Sequence, residues 1–272
     1  MPILADYHMH SSFSSDSKTP METMILKAML QGLTSICFTE HNDFDYPVAP
    51  DSPDGNFLLN PDSYLYDLLR FREKYGDHIN IFFGVEIGLQ PHLALKNTDF
   101  SKVHDYDFII ASSHICNGKD PYYPAFFEGR SCEDAYREYF ESILENLNVF
   151  SDFDVYGHLD YVVRYSPKRD EGYSYETFRG LLDEILQKII SMEKGIEINT
   201  SALAAGMTET NPCMAVLKRY RELGGEIITV GSDAHIPSRI AYGFDRAAEI
   251  LKECGFQYYT TFDHRKPSFQ KL

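Results

Sequence analysis

Seven brief apolar runs recur along the 272 residues, and each carries side chains of metal-binding type at or near its end. The runs are ILADYH, SICFTEH, INIFFGVEIG, FIIASSH, DVYGHLD, IEINTS and ITVGSDAH. They are β-rich and short, as strands buried on both faces of a parallel sheet should be. Amphipathic stretches lie between them, so the order reads as repeated strand–helix units. Such units can form an open doubly wound sheet or a closed barrel. A barrel brings every strand C-terminus to one rim, whereas an open sheet spreads them along a line. The runs end in Asp6-Tyr7-His8-Met9-His10, Glu40-His41, Ser113-His114, His158-Leu159-Asp160, Glu197-Ile198-Asn199 and Asp233-Ala234-His235, and the third run carries Glu86. Six of the ten histidines fall at these ends. That convergence favours a (β/α)7 TIM-like barrel with its site at the C-terminal rim, residues 1–272 forming a single domain.

Local signals place the helices. Thr19-Pro20-Met21-Glu22 reads as a capping box with Pro at the first helical position. Ser131 and Ser174 precede long periodic stretches, and Gly195 reads as the stop of the second. Pro212 opens a further helix, Gly224 ends it, and Ile240 to Cys254 forms the last. Gln257 to Phe262 is an eighth strand or an edge piece. Two inserts, Asp43 to Asn60 and Asn117 to Gly129, exceed ordinary connection lengths and read as loops over the barrel mouth.

Composition narrows the function. Lys+Arg total 25 and Asp+Glu 41, a formal net charge of -16. An acidic chain without a basic strip argues against nucleic-acid binding. No apolar run approaches the roughly 18 residues that span a bilayer, and the start lacks a basic leader. Five scattered cysteines without a CxxC pair suit a reduced cytoplasmic setting.

Residues i and i+2 of a strand face one side, so His8 and His10 point together, as do Asp233 and His235. Two histidines and carboxylates make a nitrogen/oxygen site for a divalent transition metal, and the lack of thiolates argues against a structural zinc knot. The candidates are His8, His10, Asp16, His41, Glu86, His114, His158, Asp233 and His235. These are too many for one four-coordinate ion, so two or three ions follow, with Glu86 able to bridge. His78, His92, His104 and His264 fall outside the pattern and read as surface or structural residues.

The DYHMHS start, the TEH, GVEIG, SSH and GHLD motifs and the late GSDAH together resemble the polymerase and histidinol phosphatase (PHP) family. These motifs span Asp6 to His235, most of the chain. The resemblance implies a distorted seven-stranded barrel with three divalent ions, of zinc, manganese or iron. By motif, His8, His10, Glu86 and Asp233 hold the first ion. Glu86, His114 and His158 hold the second, and Asp16, His41 and His235 the third. At the position of Asp16, family members often have His. A chain with these motifs is similar to the members that hydrolyse L-histidinol phosphate in histidine biosynthesis. Related members act as phosphodiesterases or exonucleases, and the same cluster would serve a protein-tyrosine phosphatase.

Three divalent ions against Asp16, Glu86 and Asp233 leave a net charge of about +3, a pocket for a small phosphorylated substrate inside an acidic protein. The expected reaction is in-line attack on phosphorus by a metal-bound hydroxide, with the ions clamping the phosphoryl oxygens. Asp233, His235 and Asp160 are the expected catalytic residues. Asp160 should share a rim with His158, orienting a ligand histidine or assisting proton transfer. Arg164, Asn199 and Arg239 are expected to bind substrate, since phosphate recognition usually adds Arg. Arg130, Lys168 and Arg169 are looser candidates. The segment holding Tyr122, Tyr123, Phe126, Phe127 and Glu128 is expected to supply an aromatic wall and an acidic partner for the rest of the substrate. Asp6 should lie one layer below His8, and Glu40 should face away from His41.

Overall fold

The computed structural model describes residues 3–48 and 57–272, so residues 49–56 of the first expected rim insert lie outside the described residues. The apolar runs become parallel strands β1 (Ala5–Met9), β2 (Ser35–Asn42), β3 (Asn80–Gly88), β4 (Phe108–Ser112), β5 (Val155–Tyr156), β6 (Gly195–Asn199) and β7 (Ile228–Gly231). They lie side by side in chain order. Helices α1 (Met21–Leu30), α2 (Pro61–Tyr75), α3 (Ala94–Phe100), α4 (Cys132–Val149), α5 (Tyr161–Tyr165), α6 (Tyr175–Ser191), α7 (Ser201–Ala204), α8 (Met214–Glu222) and α9 (Phe244–Glu253) fill the connections. Among the described residues no helix is long and apolar enough to cross a membrane.

The barrel is nearly closed. Beyond β7 the chain meets β1 through a single parallel bridge, Met9 to Ala234. His10 N donates to the Ala234 carbonyl at 3.0 Å, and Asp233 N donates to the His8 carbonyl at 2.7 Å. Lower down, Asp6 replaces a backbone ladder with its carboxylate, accepting from Ser232 N at 2.9 Å and from Ser232 Oγ. Closure is thus tightest at the C-terminal rim, where the metal-binding residue types lie. The distortion is visible in β5, which keeps only Val155 and Tyr156 in register with its neighbours.

The final apolar run is not an eighth barrel strand. β8 (Tyr258–Asp263) pairs antiparallel with β9 (Lys266–Lys271) in a separate hairpin. Phe262 packs on Phe108 at 5.0 Å between ring centroids, and Tyr7 Oη donates to the Phe262 carbonyl at 2.8 Å. The hairpin therefore plugs the end of the barrel opposite the rim with apolar surface, which favours burial over strand addition.

Other local expectations divide. Ser131 caps α4, its Oγ accepting from Asp134 N at 3.1 Å. Ser174 stands at the N-cap of α6 without a side-chain cap. The Thr19 capping box does not form. α1 opens at Met21, and Thr19 Oγ1 instead donates to the His235 carbonyl at 3.0 Å, a tie to the rim. Gly195 is not a helix stop. It is the first residue of β6, where a Cβ would stand 2.4 Å from Ile227 Cγ2. The left-handed residue after α6 is Glu193, at φ 58°. α8 opens at Met214, two residues past Pro212, and Gly224 follows its end at φ 97°. The last helix starts only at Phe244, because a one-turn 3-10 helix at Pro237–Arg239 and the turn after it precede it.

Candidate metal centre

Glu86, fully buried on β3, is the hub. Its Oε1 lies 2.9 Å from His158 Nε2 and 3.2 Å from His114 Nε2. Its Oε2 lies 2.9 Å from His41 Nδ1, 3.2 Å from His8 Nε2 and 3.6 Å from His10 Nε2. Asp233 Oδ1 sits 3.5 Å from His10 Nε2 and 3.7 Å from His8 Nε2. From the β1–α1 connection, Asp16 Oδ2 reaches His235 Nε2 at 3.0 Å and His41 Nε2 at 3.5 Å. All nine residues expected as ligands are brought together. Strand alternation explains only part of this. Asp233 and His235 lie beyond β7, and their convergence depends on Asp233 adopting φ 53°.

These groups fit divalent metals. His8 Nε2, His10 Nε2, His41 Nδ1 and Glu86 Oε2 are buried and crowd one another without a well-aligned hydrogen bond, an arrangement costly for a protein that held nothing there. His41 and His235 bring two Nε2 atoms within 3.4 Å. Ligand atoms lie within 4.8 Å of one another in four sets: His8, His10 and Asp233; His8, Glu86 and His158; His41, Glu86 and His114; and His10, His41 and His235.

A layer of acceptors and hydroxyls fixes the rings from behind. Glu197 Oε1 holds His8 Nδ1 at 2.6 Å, and its Oε2 accepts His158 N at 3.0 Å. Asp43 Oδ1 holds His114 Nδ1 at 2.8 Å. Ser14 Oγ lies 3.1 Å from His10 Nδ1, accepts from His41 N at 3.0 Å and donates to Glu40 Oε2 at 2.5 Å. Glu40 thus faces away from the centre, as expected, yet supports it through Ser14. Ser112 Oγ donates to Glu86 Oε1 at 2.6 Å. Such partners set tautomer and ring direction, and losing one typically costs 10–100-fold in metal affinity or activity. Glu197→Gln should therefore weaken metal binding by about 10–100-fold in a chelator competition titration. Wild-type affinity would show that His8 needs no anionic partner.

Burial opposes charge on all these rings. Glu197, Glu86 and Asp233 nevertheless raise the His8 pKa well above its ordinary value. Asp16 and Glu86 do the same for His41, and Asp43 and Glu86 hold His114 up at about 10. His10 and His158 go the other way, lowered by burial and by neighbouring imidazoles. The histidines hold Glu86 and Asp233 well below the carboxylate range, although burial works against them. The centre is thus built for cationic charge.

The centre opens into a cavity of about 560 Å³. Arg164 lines it, 7% exposed, donating to Asn211 Oδ1 at 3.0 Å, Asn199 Oδ1 at 3.2 Å and Asp233 Oδ2 at 3.2 Å. Asn199 does not reach the cavity. It is fully buried and braces Arg164 and Asp233 from behind. Arg239 also turns away, donating to the Ala204 carbonyl at 2.6 Å, because the 3-10 turn after His235 carries it outward. Asp160 does not touch His158. The chain turns into α5 there, and Asp160 accepts from Asn211 Nδ2 at 2.5 Å and Cys213 N at 3.0 Å, with burial pushing its carboxyl up to about 6. Of the expected aromatic wall, Tyr122 and Tyr123 line the cavity, while Phe126 and Phe127 are buried in the core. Glu128 is exposed, and Asp120 is the acidic residue on the wall. Arg130 pairs with Glu138, and Arg169 reaches the Ala205 carbonyl. Away from the centre, His92, His104 and His264 pair with Asp45, Asp62 and Asp107, and His78 is exposed.

A model of the PHP domain matches residues 6–201. The chain belongs to the PHP family. It is 34% identical over 262 residues to the histidinol-phosphatase of Lactococcus lactis subsp. lactis, covering 96% of this chain and 95% of that protein. It is 31% identical over 252 residues to the Clostridium acetobutylicum protein named "Probable histidinol-phosphatase", covering 93% and 94%. The crystal structure of the Lactococcus lactis histidinol phosphate phosphatase, complexed with zinc, L-histidinol and phosphate, superposes with a TM-score of 0.89 over 97% of this chain and 98% of that one. In this PHP barrel, Glu197, Asp43, Ser14 and Asn211 support the centre although the sequence pattern gave them no role. Glu197, two residues before Asn199, and Asp43, two residues past His41, carried the i, i+2 signal of a shared face.

Proposed function

We propose that this chain hydrolyses the phosphate monoester L-histidinol phosphate to L-histidinol and inorganic phosphate. The observation that carries the reading is the set of buried, crowded imidazole and carboxylate atoms opening into a cavity beside Arg164. The Lactococcus lactis relative that binds zinc, L-histidinol and phosphate supports the choice of substrate. His8, His10, Glu86 and Asp233 would hold one divalent ion, Glu86, His114 and His158 a second, and Asp16, His41 and His235 a third. Zinc is supported by that relative, and manganese or iron suits the same donors. Such ions, when bound, neutralise phosphoryl charge and make water a competent nucleophile at neutral pH.

The chain's own residues do the rest. Arg164 presents a guanidinium to the phosphoryl group, held in place by Asn199 and Asn211. Asp160 is a positioning residue, because it fixes the Asn211 amide that faces Arg164. Asp233 and His235 act on the cavity wall, next to the reacting group. A small substrate in place of nucleic acid fits the acidic chain, and the five free cysteines fit a reducing cytoplasm. Residues 1–272 act as one domain, because the hairpin's Phe262 is part of the barrel core.

The test is inorganic phosphate release from L-histidinol phosphate by metal-replete protein, with a chelated sample and a phosphodiester alongside. Strong monoester turnover that chelation abolishes is expected. Cleavage of the diester alone would move the activity to the nuclease side of the family.

A further inference from the structure

The cavity has a second wall, unlike the metal-binding one. Asp120, in the β4–α4 connection, is 6% exposed and lines the cavity beside Tyr46, Tyr122, Tyr161 and Tyr165. Its Oδ2 accepts from Tyr46 Oη at 2.7 Å, and its Oδ1 accepts from Tyr122 N at 2.7 Å and Tyr161 Oη at 3.3 Å. These donors are neutral. Among the described residues no arginine, lysine or histidine forms an ion pair with Asp120. His114 attracts the carboxylate from a distance, but no cation pairs with it directly, so the buried charge is only partly offset. The rings around it are stacked edge to face, Tyr161 on Tyr165 at 4.9 Å and Tyr165 on Tyr122 at 5.1 Å. Phenol faces attract cations as well.

The wall also stands at the right place. Tyr161 packs 5.0 Å from His158 and 5.6 Å from His114, so one ring separates Asp120 from the metal-binding histidines. The cavity thus has a pole that takes an anion and, across a single tyrosine, a pole lacking a cation. We infer that Asp120 is the specificity-determining residue of this site and pairs with a protonated amine on the alcohol side of a phosphate monoester. The inference rests on the phosphatase reading above and adds a charge requirement to it. Of the two nitrogen groups of L-histidinol, the amine is the partner, because an imidazole with an ordinary pKa near 6.5 is mostly neutral at pH 7. Burial raises the Asp120 pKa, and a cation beside the carboxylate would offset that cost.

The experiment compares kcat/KM for L-histidinol phosphate with that for p-nitrophenyl phosphate, which carries no cation. Asp120→Asn should lower the ratio of the two by about 10²-fold, the scale expected when a buried charge pair loses one partner. A purely supporting role for Asp120, bracing Tyr46 and Tyr161, would depress both substrates and leave the ratio at its wild-type value, which overturns the inference. A second measurement needs no variant. In wild-type protein, L-histidinol should inhibit p-nitrophenyl phosphate hydrolysis at least about 10-fold more strongly than 4-(3-hydroxypropyl)imidazole, which lacks the amine. Equal inhibition overturns the inference while the phosphatase reading stands. If wild type hydrolyses neither ester, both fall together.

Discussion

Asp233→Asn is expected to lower phosphate release from L-histidinol phosphate by roughly 10³-fold in metal-replete protein, the upper end of what loss of one preorganised electrostatic group costs. The amide has no comfortable orientation. At Oδ2 the carboxylate accepts from Arg164, Asn199 Nδ2 and Ser201 Oγ, so an NH₂ there faces three donors. Turned the other way, the NH₂ points at His8 and His10 Nε2, where a donor cannot share a cation. One substitution therefore damages either the Arg164 brace or the metal-binding set. Steady-state phosphate release, with metal content measured on the same sample, checks it. Near-normal turnover at full metal content would remove Asp233 from the site.

Glu86→Gln should be at least as damaging, with turnover again down by about 10³-fold and bound metal falling with it. Among the described residues Glu86 alone meets five of the histidines, and its two oxygens face different groups of them. An amide can offer an acceptor to one group only. It also removes the buried negative charge that the surrounding imidazoles hold ionised. Elemental analysis after gel filtration, with circular dichroism to confirm the fold, reads the outcome. Wild-type metal content and turnover would mean that Glu86 serves packing alone.

Much of this was legible in the chain because the informative patterns are local. Brief β-rich runs separated by amphipathic stretches lead to a parallel barrel, and histidines at the ends of those runs lead to its rim. The differences in side-chain direction also share a cause. Asp160, Asn199 and Arg239 sit at strand ends or just past one, as the residues around Glu86 do, but their side chains turn away from the cavity. Position along the chain cannot say whether a rim residue turns inward or into the next helix. Asp160 and Glu197 make the point. Both are carboxylates near strand ends. Glu197 meets His8, 189 residues away, while Asp160 meets Asn211 and Cys213.

Hydrophobic periodicity and motif spacing are properties of the chain, and they were enough for the strand order, the family, and Glu86 with the eight residues that gather around it. Closure of the barrel set which carboxylates support the histidines, turned Arg164 to the cavity and Arg239 away from it, and stood Asp120 among tyrosines. Those assignments depend on hydrogen bonds and ion pairs between residues far apart in the chain. The strength of such contacts falls away within a few ångströms, so they exist only once the barrel has closed.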